Sequence, residues 1–230
     1  MYRPDDVQDF EQRISACVDD VALLMKSNRL QLNTDKAEVL WCATSRRQSQ
    51  LPKSSLRICS DFVAPSSNVR DLGIYLDADL SMKSHVRRTT SSCFAILRQL
   101  RSLRRSIPSS VYQTLIVSLI LTRLDFGNAT LVGLPAYLVS RLQLVMNAAA
   151  KSIIGIRRSE YITSTLVNLH WLKVSERIKF KLAVLTYRCL HGAAPRFLID
   201  DIRQLSDIPS RRVLRSSSRN ELVIKFIDSC

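Results

Sequence analysis

The apolar positions near the N-terminus recur at the period of an α-helix. They lie three or four residues apart, as on one face of a helix: Val7, Phe10, Ile14, Cys17, Val21 and Leu24. Pro4 and the acidic pair after it are typical of a first helical turn, because proline fits there and carboxylates favour the positive end of the helix dipole. The pattern predicts a helix over residues 4–31.

The pattern then changes to short apolar runs separated by polar residues. Residues 38–43 have the composition of a β-strand, and residues 44–55 are mostly polar and indicate a loop. Further strands are predicted near 56–59, 62–64 and 69–76. The first 80 residues are therefore expected to form a small α+β unit with an antiparallel sheet.

Helical periodicity returns after residue 80 and continues through most of the chain. The predicted helices cover residues 82–105, 109–124, 136–154, 161–168, 175–191 and 196–205. The Ser- and Arg-rich segment 207–230 is predicted to be a flexible tail. The predicted fold class is α+β, with an N-terminal helix and small sheet in residues 1–80, followed by a mostly α-helical bundle in residues 81–206.

Composition adds a strong positive charge to this picture. The chain has 230 residues, 46% of them hydrophobic, which is sufficient for a globular core. Its formal net charge is +14, the electrostatic property expected of a protein that binds a polyanion, most often nucleic acid. The alternative is a basic protein with no such partner.

The cysteines and the apolar runs indicate in which cellular compartment the protein is found. None of the six cysteines forms a Cys-x-x-Cys pair and the three histidines are scattered, so the sequence predicts no metal site and favours reduced thiols. The N-terminus is polar, and the longest apolar run is too short to cross a bilayer. We expect an intracellular protein without a membrane partner. The choice between nucleus and cytoplasm, and the oligomeric state, stay open.

Several motifs in order resemble the LINE-type (non-LTR) retrotransposon reverse transcriptases, including the jockey-like elements. Residues 28–41 read NRLQLNTDKAEVLW and resemble the end of the palm domain. Residues 69–77 read VRDLGIYLD and resemble the motif E segment, with LSM and HV following as in the family. The later segments RLDFGN, KFKL and RCLHGAAP resemble the thumb and the region after it. The resemblance extends over roughly residues 5–215.

The resemblance implies roles for particular residues. Lys36 corresponds to the lysine of motif D, which lies near the incoming nucleotide in the family, and Leu72 and Gly73 correspond to the primer grip of motif E. The family holds two Mg²⁺ ions with aspartates of motifs A and C. Those motifs would lie upstream of residue 1, so no catalytic residue, metal ligand or cofactor is assigned here. As an RNA-directed DNA polymerase, the fragment is predicted to be inactive alone.

Two pairs of carboxylates have a spacing that could be mistaken for a metal-binding site. Asp19 and Asp20 fall in the middle of the predicted first helix, which favours a solvated helix face over a catalytic hairpin. Asp77 and Asp79 would share one face of a strand. A polar turn is the preferred interpretation of that second pair, because no third ligand is near in sequence. His170 and His191 are assigned core or capping roles.

An arginine stripe is the candidate nucleic-acid-binding feature. The spacing in the predicted helix 82–105 places four arginines on one side of the helix: Arg87, Arg98, Arg101 and Arg105. Arg88 and Arg104 lie next to this stripe. The stripe arginines are expected either to contact the phosphates of an RNA–DNA duplex or to form an ordinary solvated face. Three hypotheses therefore remain: a polymerase fragment, a basic helical nucleic-acid-binding module, and a decayed transposon remnant with no molecular function.

Overall fold

The computed structural model describes residues 4–156, 160–200, 202–204 and 222–224, with the backbone alone at 4–7, 203–204 and 222–224. Two compact units make up the chain. The first comprises Met1–Gln99 with Leu134–Val145, and the second comprises Leu100–Gly133 with Met146–Cys230. The segment boundary predicted at residue 80 falls inside the first unit.

The predicted α+β fold class is confirmed. Helix α1 (Pro4–Ser27) precedes two antiparallel hairpins, β1 (Leu56–Ile58) with β2 (Asp61–Val63) and β3 (Asn68–Asp71) with β4 (Ile74–Asp77). Helices dominate the rest of the described chain: α2 (Lys83–Leu103), α3 (Ser109–Ile116), α4 (Thr122–Asp125), α5 (Ala136–Ile154), α6 (Thr163–Asn168), α7 (Val174–Leu190) and α8 (Arg196–Ile199).

The core beneath α1 is built on the first hairpin. Val39, Leu56 and Ile58 are buried there, and the half-buried Ile14 and Val18 of α1 pack against them. The Ser15 hydroxyl of α1 donates a hydrogen bond of 2.9 Å to the carbonyl of Arg57. This bond gives a buried polar side chain a partner and fixes the helix on β1.

Two strand predictions in this region are wrong. Residues 38–43 do not form a strand, and Val39 makes a single parallel bridge to Pro65. Proline has no N–H to donate, which limits a ladder at that position. The strand predicted over 69–76 is instead the hairpin β3–β4, because the chain reverses at residues 72 and 73.

The second unit contains its own buried apolar residues. Tyr112, Ile116 and Ile120 are almost completely buried, and a π-helical turn (Val117–Leu121) joins α3 to α4. The Tyr112 hydroxyl shares a hydrogen bond of 2.5 Å with the Ser152 hydroxyl of α5. The half-buried guanidinium of Arg177 in α7 binds both carboxylate oxygens of Asp125 at the end of α4. This two-pronged ion pair links two helices of the unit.

The helix predicted over 196–205 is shorter than expected. It ends after one turn, and strand β5 (Ile202–Gln204) follows and pairs antiparallel with β6 (Leu222–Ile224). A strand with so distant a partner leaves no local periodic signal. Apart from β6, the tail predicted over 207–230 lies outside the described residues. In the described part of the chain, no helix is long and apolar enough to cross a membrane.

Candidate nucleic-acid interface

The primer-grip-like residues form the tip of the hairpin β3–β4. Leu72 and Gly73 have φ values of +45° and +90°, the left-handed conformation that both central residues of a type I′ turn require. Glycine adopts it without steric cost. The turn leaves the Leu72 side chain 88% exposed and places Arg70 directly opposite Tyr75.

Two arginines lie against the ring of Tyr75. The Cζ atom of Arg88, in the second turn of α2, is 4.4 Å from the ring centroid, and that of Arg70 is 5.7 Å away. Both distances are within the range of cation–π attraction. The Tyr75 cluster, defined as Arg70, Tyr75 and Arg88, therefore holds two exposed cations in place on an aromatic side chain.

His85 supports this cluster from the start of α2. It is buried, and its Nδ1 accepts a hydrogen bond of 3.4 Å from the backbone N–H of Tyr75. The two rings are 6.5 Å apart between centroids. Burial lowers the pKa of the imidazole below its ordinary value, although the charge of Asp77 opposes that effect. A neutral ring suits an acceptor at Nδ1.

The carboxylates of Asp77 and Asp79 accept hydrogen bonds in and around the polar turn before α2. Asp77 is buried and accepts hydrogen bonds from the Ser84 N–H at 3.0 Å and the Ser81 hydroxyl at 3.4 Å. Asp79 accepts the Ser81 N–H at 3.0 Å and contacts Lys83. Hydrogen bonding from Ser81, assisted by Lys83, lowers the pKa of Asp79. Asp77 thus satisfies an N–H in the first turn of α2, as an N-cap side chain does, and Asp79 stabilises the turn before the helix.

The four stripe arginines are exposed. Arg87 and Arg98 belong to the first unit, whereas Arg101 and Arg105 belong to the second, Arg105 lying just beyond the last residue of α2. Within the described residues, none of the four forms an ion pair. Their nucleic-acid-binding role stays a prediction.

The two flanking arginines have structural partners. Arg88 belongs to the Tyr75 cluster. Arg104 Nη2 donates a hydrogen bond of 3.3 Å to the Ile153 carbonyl at the end of α5. Neighbouring arginines that look equivalent in the sequence thus have different surroundings.

The remaining candidates lie apart from the cluster. Lys36 is exposed in a single 3-10 turn (Thr34–Lys36), and its motif D role stays a prediction. Asp19 and Asp20 lie within α1, as expected, and Asp19 accepts a hydrogen bond of 2.6 Å from Arg57. That bond raises the pKa of the Arg57 guanidinium. Among the described residues, no three His, Cys, Asp or Glu side chains are grouped so as to hold a metal.

Both predicted core or capping histidines are at helix ends. His170 has a left-handed φ of +55° two residues after the end of α6, and its N–H donates to the Val167 carbonyl. His191 follows the last residue of α7, and its ring is 4.1 Å from that of Tyr187. The two side chains are exposed. The capping interpretation therefore holds for their backbone, and the core interpretation is wrong.

The Tyr75 cluster was missed by sequence reasoning. Its signal was the dipeptide Leu72-Gly73. Had these residues been recognised as a two-residue turn, the pairing of Arg70 with Tyr75 would have followed from the hairpin register. The helical spacing alone places Arg88 only beside the stripe. Comparison with protein-family models, curated proteins and solved structures gave no match to this chain.

Proposed function

We propose that this chain is the palm-end and thumb part of a LINE-type reverse transcriptase, and that it contributes duplex binding without catalysis. The observation that supports the binding role best is the Tyr75 cluster, in which two exposed arginines lie against one aromatic ring. The ordered motifs in the sequence support the polymerase assignment.

The cluster has the properties of a phosphate-binding surface. A guanidinium that lies against an aromatic ring keeps in-plane N–H donors for a phosphate oxygen. Holding Arg70 and Arg88 on Tyr75 also reduces the side-chain entropy lost on binding. Such contacts recognise the backbone of a duplex and carry no base sequence information.

Catalytic inactivity is proposed from the assignments of the carboxylates. Asp77 caps the start of α2, Asp79 stabilises the turn before it, and Asp19 is paired with Arg57. A primer-extension assay with Mg²⁺ or Mn²⁺ is expected to show no template-dependent synthesis. Synthesis above a no-protein control would contradict this part of the proposal.

Duplex binding is tested by removing the two cluster arginines. Arg70→Ala/Arg88→Ala is expected to weaken binding to a labelled RNA–DNA duplex, measured by fluorescence anisotropy between 50 and 200 mM salt. Each lost phosphate contact should reduce the slope of log K against log salt by about 0.9. Binding to unrelated sequences should fall by about the same factor, since backbone contacts are independent of sequence.

The control removes the same charge elsewhere in the first unit. Arg13 and Arg46 are exposed on α1 and in the loop before β1, and Arg13→Ala/Arg46→Ala should change affinity and slope much less. Equal losses in the two double variants would mean that net charge alone governs binding, and the cluster would lose its assigned role.

A nucleic-acid-binding module without a polymerase partner is the second candidate, and the same cluster supports it. A clear preference for RNA–DNA hybrid over double-stranded DNA favours the polymerase fragment, because a reverse transcriptase must hold that hybrid. Equal affinity for both duplexes favours the general module.

A further inference from the structure

Helix α7 exposes an aromatic face where an ordinary surface helix is polar. Its buried residues are Val174, Ile178 and Cys189. On the opposite side, Phe180 is 61% exposed and Tyr187 is 62% exposed, with the small exposed Ala183 between them. The polar face expected of an amphipathic helix is therefore replaced by two rings.

Basic side chains border these rings on both sides. Lys179 lies on one side of the Phe180–Tyr187 line, and Lys181 and Arg188 lie on the other, as the helical period of 3.6 requires. All three are exposed, and none forms an ion pair within the described chain. The nearby carboxylate, Glu176, accepts the Lys173 backbone N–H at the start of the helix. Positive charge therefore dominates the edges of the face.

The spacing of the rings suits stacked bases. Tyr187 is the seventh residue after Phe180, a rise of about 10.5 Å along the helix axis. That distance is about three times the ~3.4 Å step of a nucleic-acid strand. The His191 ring lies 4.1 Å from Tyr187 and extends the aromatic surface past the end of α7.

We propose that this α7 face, defined as Phe180, Tyr187, Lys179, Lys181 and Arg188, is a binding site for single-stranded nucleic acid. Exposed rings stack on bases, and the flanking cations bind the phosphates between them. A duplex is a poor occupant, because its bases are already stacked on one another. The site lies in the second unit, and the inference is independent of duplex binding at the Tyr75 cluster.

Charge favours this occupant over an apolar protein surface. A protein partner would have to match these edge cations with carboxylates at the rim of its interface, whereas a nucleic-acid strand carries a phosphate at every nucleotide. Here two lysines and an arginine surround two rings in a chain of net charge +14. Nucleic acid satisfies both the aromatic and the cationic groups.

The test uses the full chain and a fluorescein-labelled oligouridylate of about 15 nucleotides, the upper range of a compact single-strand site. Phe180→Ala/Tyr187→Ala is expected to weaken binding at least tenfold with an unchanged salt slope, because stacking contributes about 1–3 kcal/mol per base. Lys179→Ala/Arg188→Ala should instead lower the slope by about 0.7 per lost contact. Phe180→Trp/Tyr187→Trp, which keeps the stacking, should preserve affinity.

The matched control is Tyr161→Ala, which removes a ring that is 91% exposed in the same unit. It should bind oligouridylate like the parent chain. Equal affinities for the control and the Phe180/Tyr187 double variant would overturn the proposal. The proposal would also be overturned if sedimentation equilibrium showed a dimer for the parent chain and a monomer for the Phe180/Tyr187 double variant. The α7 face would then be an interface between copies of the chain. Failure of the Arg70/Arg88 test would leave this result unaffected.

Discussion

The imidazole of His85 is buried, and it accepts the Tyr75 backbone N–H. Because burial lowers the pKa of His85, the unfolded chain takes up this proton at a higher pH than the folded chain does. The contribution of His85 to stability is therefore complete above pH ~6.5. It decreases as the pH falls through that value toward the folded-state pKa.

His85→Gln removes the titration and keeps a hydrogen-bond acceptor. We expect the parent free energy of unfolding to fall between pH 7.5 and 5 more steeply than that of the variant. Urea unfolding followed by Trp41 fluorescence in a Trp171→Phe background measures this in the first unit. His191→Gln removes an exposed imidazole in the second unit and should leave the profile of the first unit unchanged. Parallel profiles for parent and His85→Gln would show that His85 does not contribute to the pH dependence.

At the scale of elements, the end of α5 depends on Gly155 and Arg104. Gly155 has a φ of +84°, and a Cβ atom there would lie 2.9 Å from Cζ of Arg104. The guanidinium of Arg104 donates to the Ile153 carbonyl at this end of the helix. A cation at the C-terminus is favoured by the helix dipole. Glycine suits the left-handed backbone, and a Cβ there would displace the flexible guanidinium of Arg104 from its hydrogen bond.

Gly155→Ala should destabilise the second unit more than Gly133→Ala does. Gly133 also has a left-handed φ, +79°, but nothing lies within 4 Å of its would-be Cβ. In both variants, alanine in the left-handed conformation costs about 1–2 kcal/mol of stability. Only Gly155→Ala also displaces Arg104, which should cost about 0.3–1 kcal/mol more. Urea unfolding followed by Trp171 fluorescence in a Trp41→Phe background gives the difference. In an Arg104→Ala background the two glycine variants should become equivalent, and a persistent difference would refute the role of Arg104.

The sequence was most informative where an element has a periodic face. The predicted helix 136–154 has the bounds of α5, and 82–105 differs from α2 by one or two residues at each end. Prediction from the sequence failed where the pairing between strands decides the structure. The dipeptide Leu72-Gly73 is the one local signal that separates two strands from a single strand over 69–76, and it is weaker than the Asn-Gly or Asp-Gly pairs that usually mark such a turn. Arg87 and Arg88 likewise look alike in sequence, and only the position of Tyr75 separates them.

At the scale of the whole molecule, the chain consists of two units that each contain one tryptophan. Trp41 belongs to the first unit and Trp171 to the second. Each unit also has its own buried apolar residues, such as Leu56 in the first and Ile116 in the second. Single-tryptophan variants therefore carry one fluorescent reporter in each unit.

The two units are expected to unfold as distinguishable transitions. Leu56→Ala creates a cavity under α1 and should lower stability by about 2–4 kcal/mol. It should shift the urea midpoint of the Trp41 signal, while Trp171 keeps its midpoint. Ile116→Ala should give the reverse result. If either substitution shifts both midpoints together, the chain unfolds as one cooperative body.

The exposed leucines of α1 have a consequence for handling the protein. Leu23 and Leu24 are 66% and 65% exposed, and Val21 beside them is 44% exposed. At low ionic strength the charge of +14 keeps molecules apart, over a range of about 30 Å at 0.01 M salt. That range shrinks to about 8 Å at 0.15 M salt, while the attraction between apolar patches persists. Added salt should therefore promote precipitation, and light scattering should rise along the same titration that weakens nucleic-acid binding.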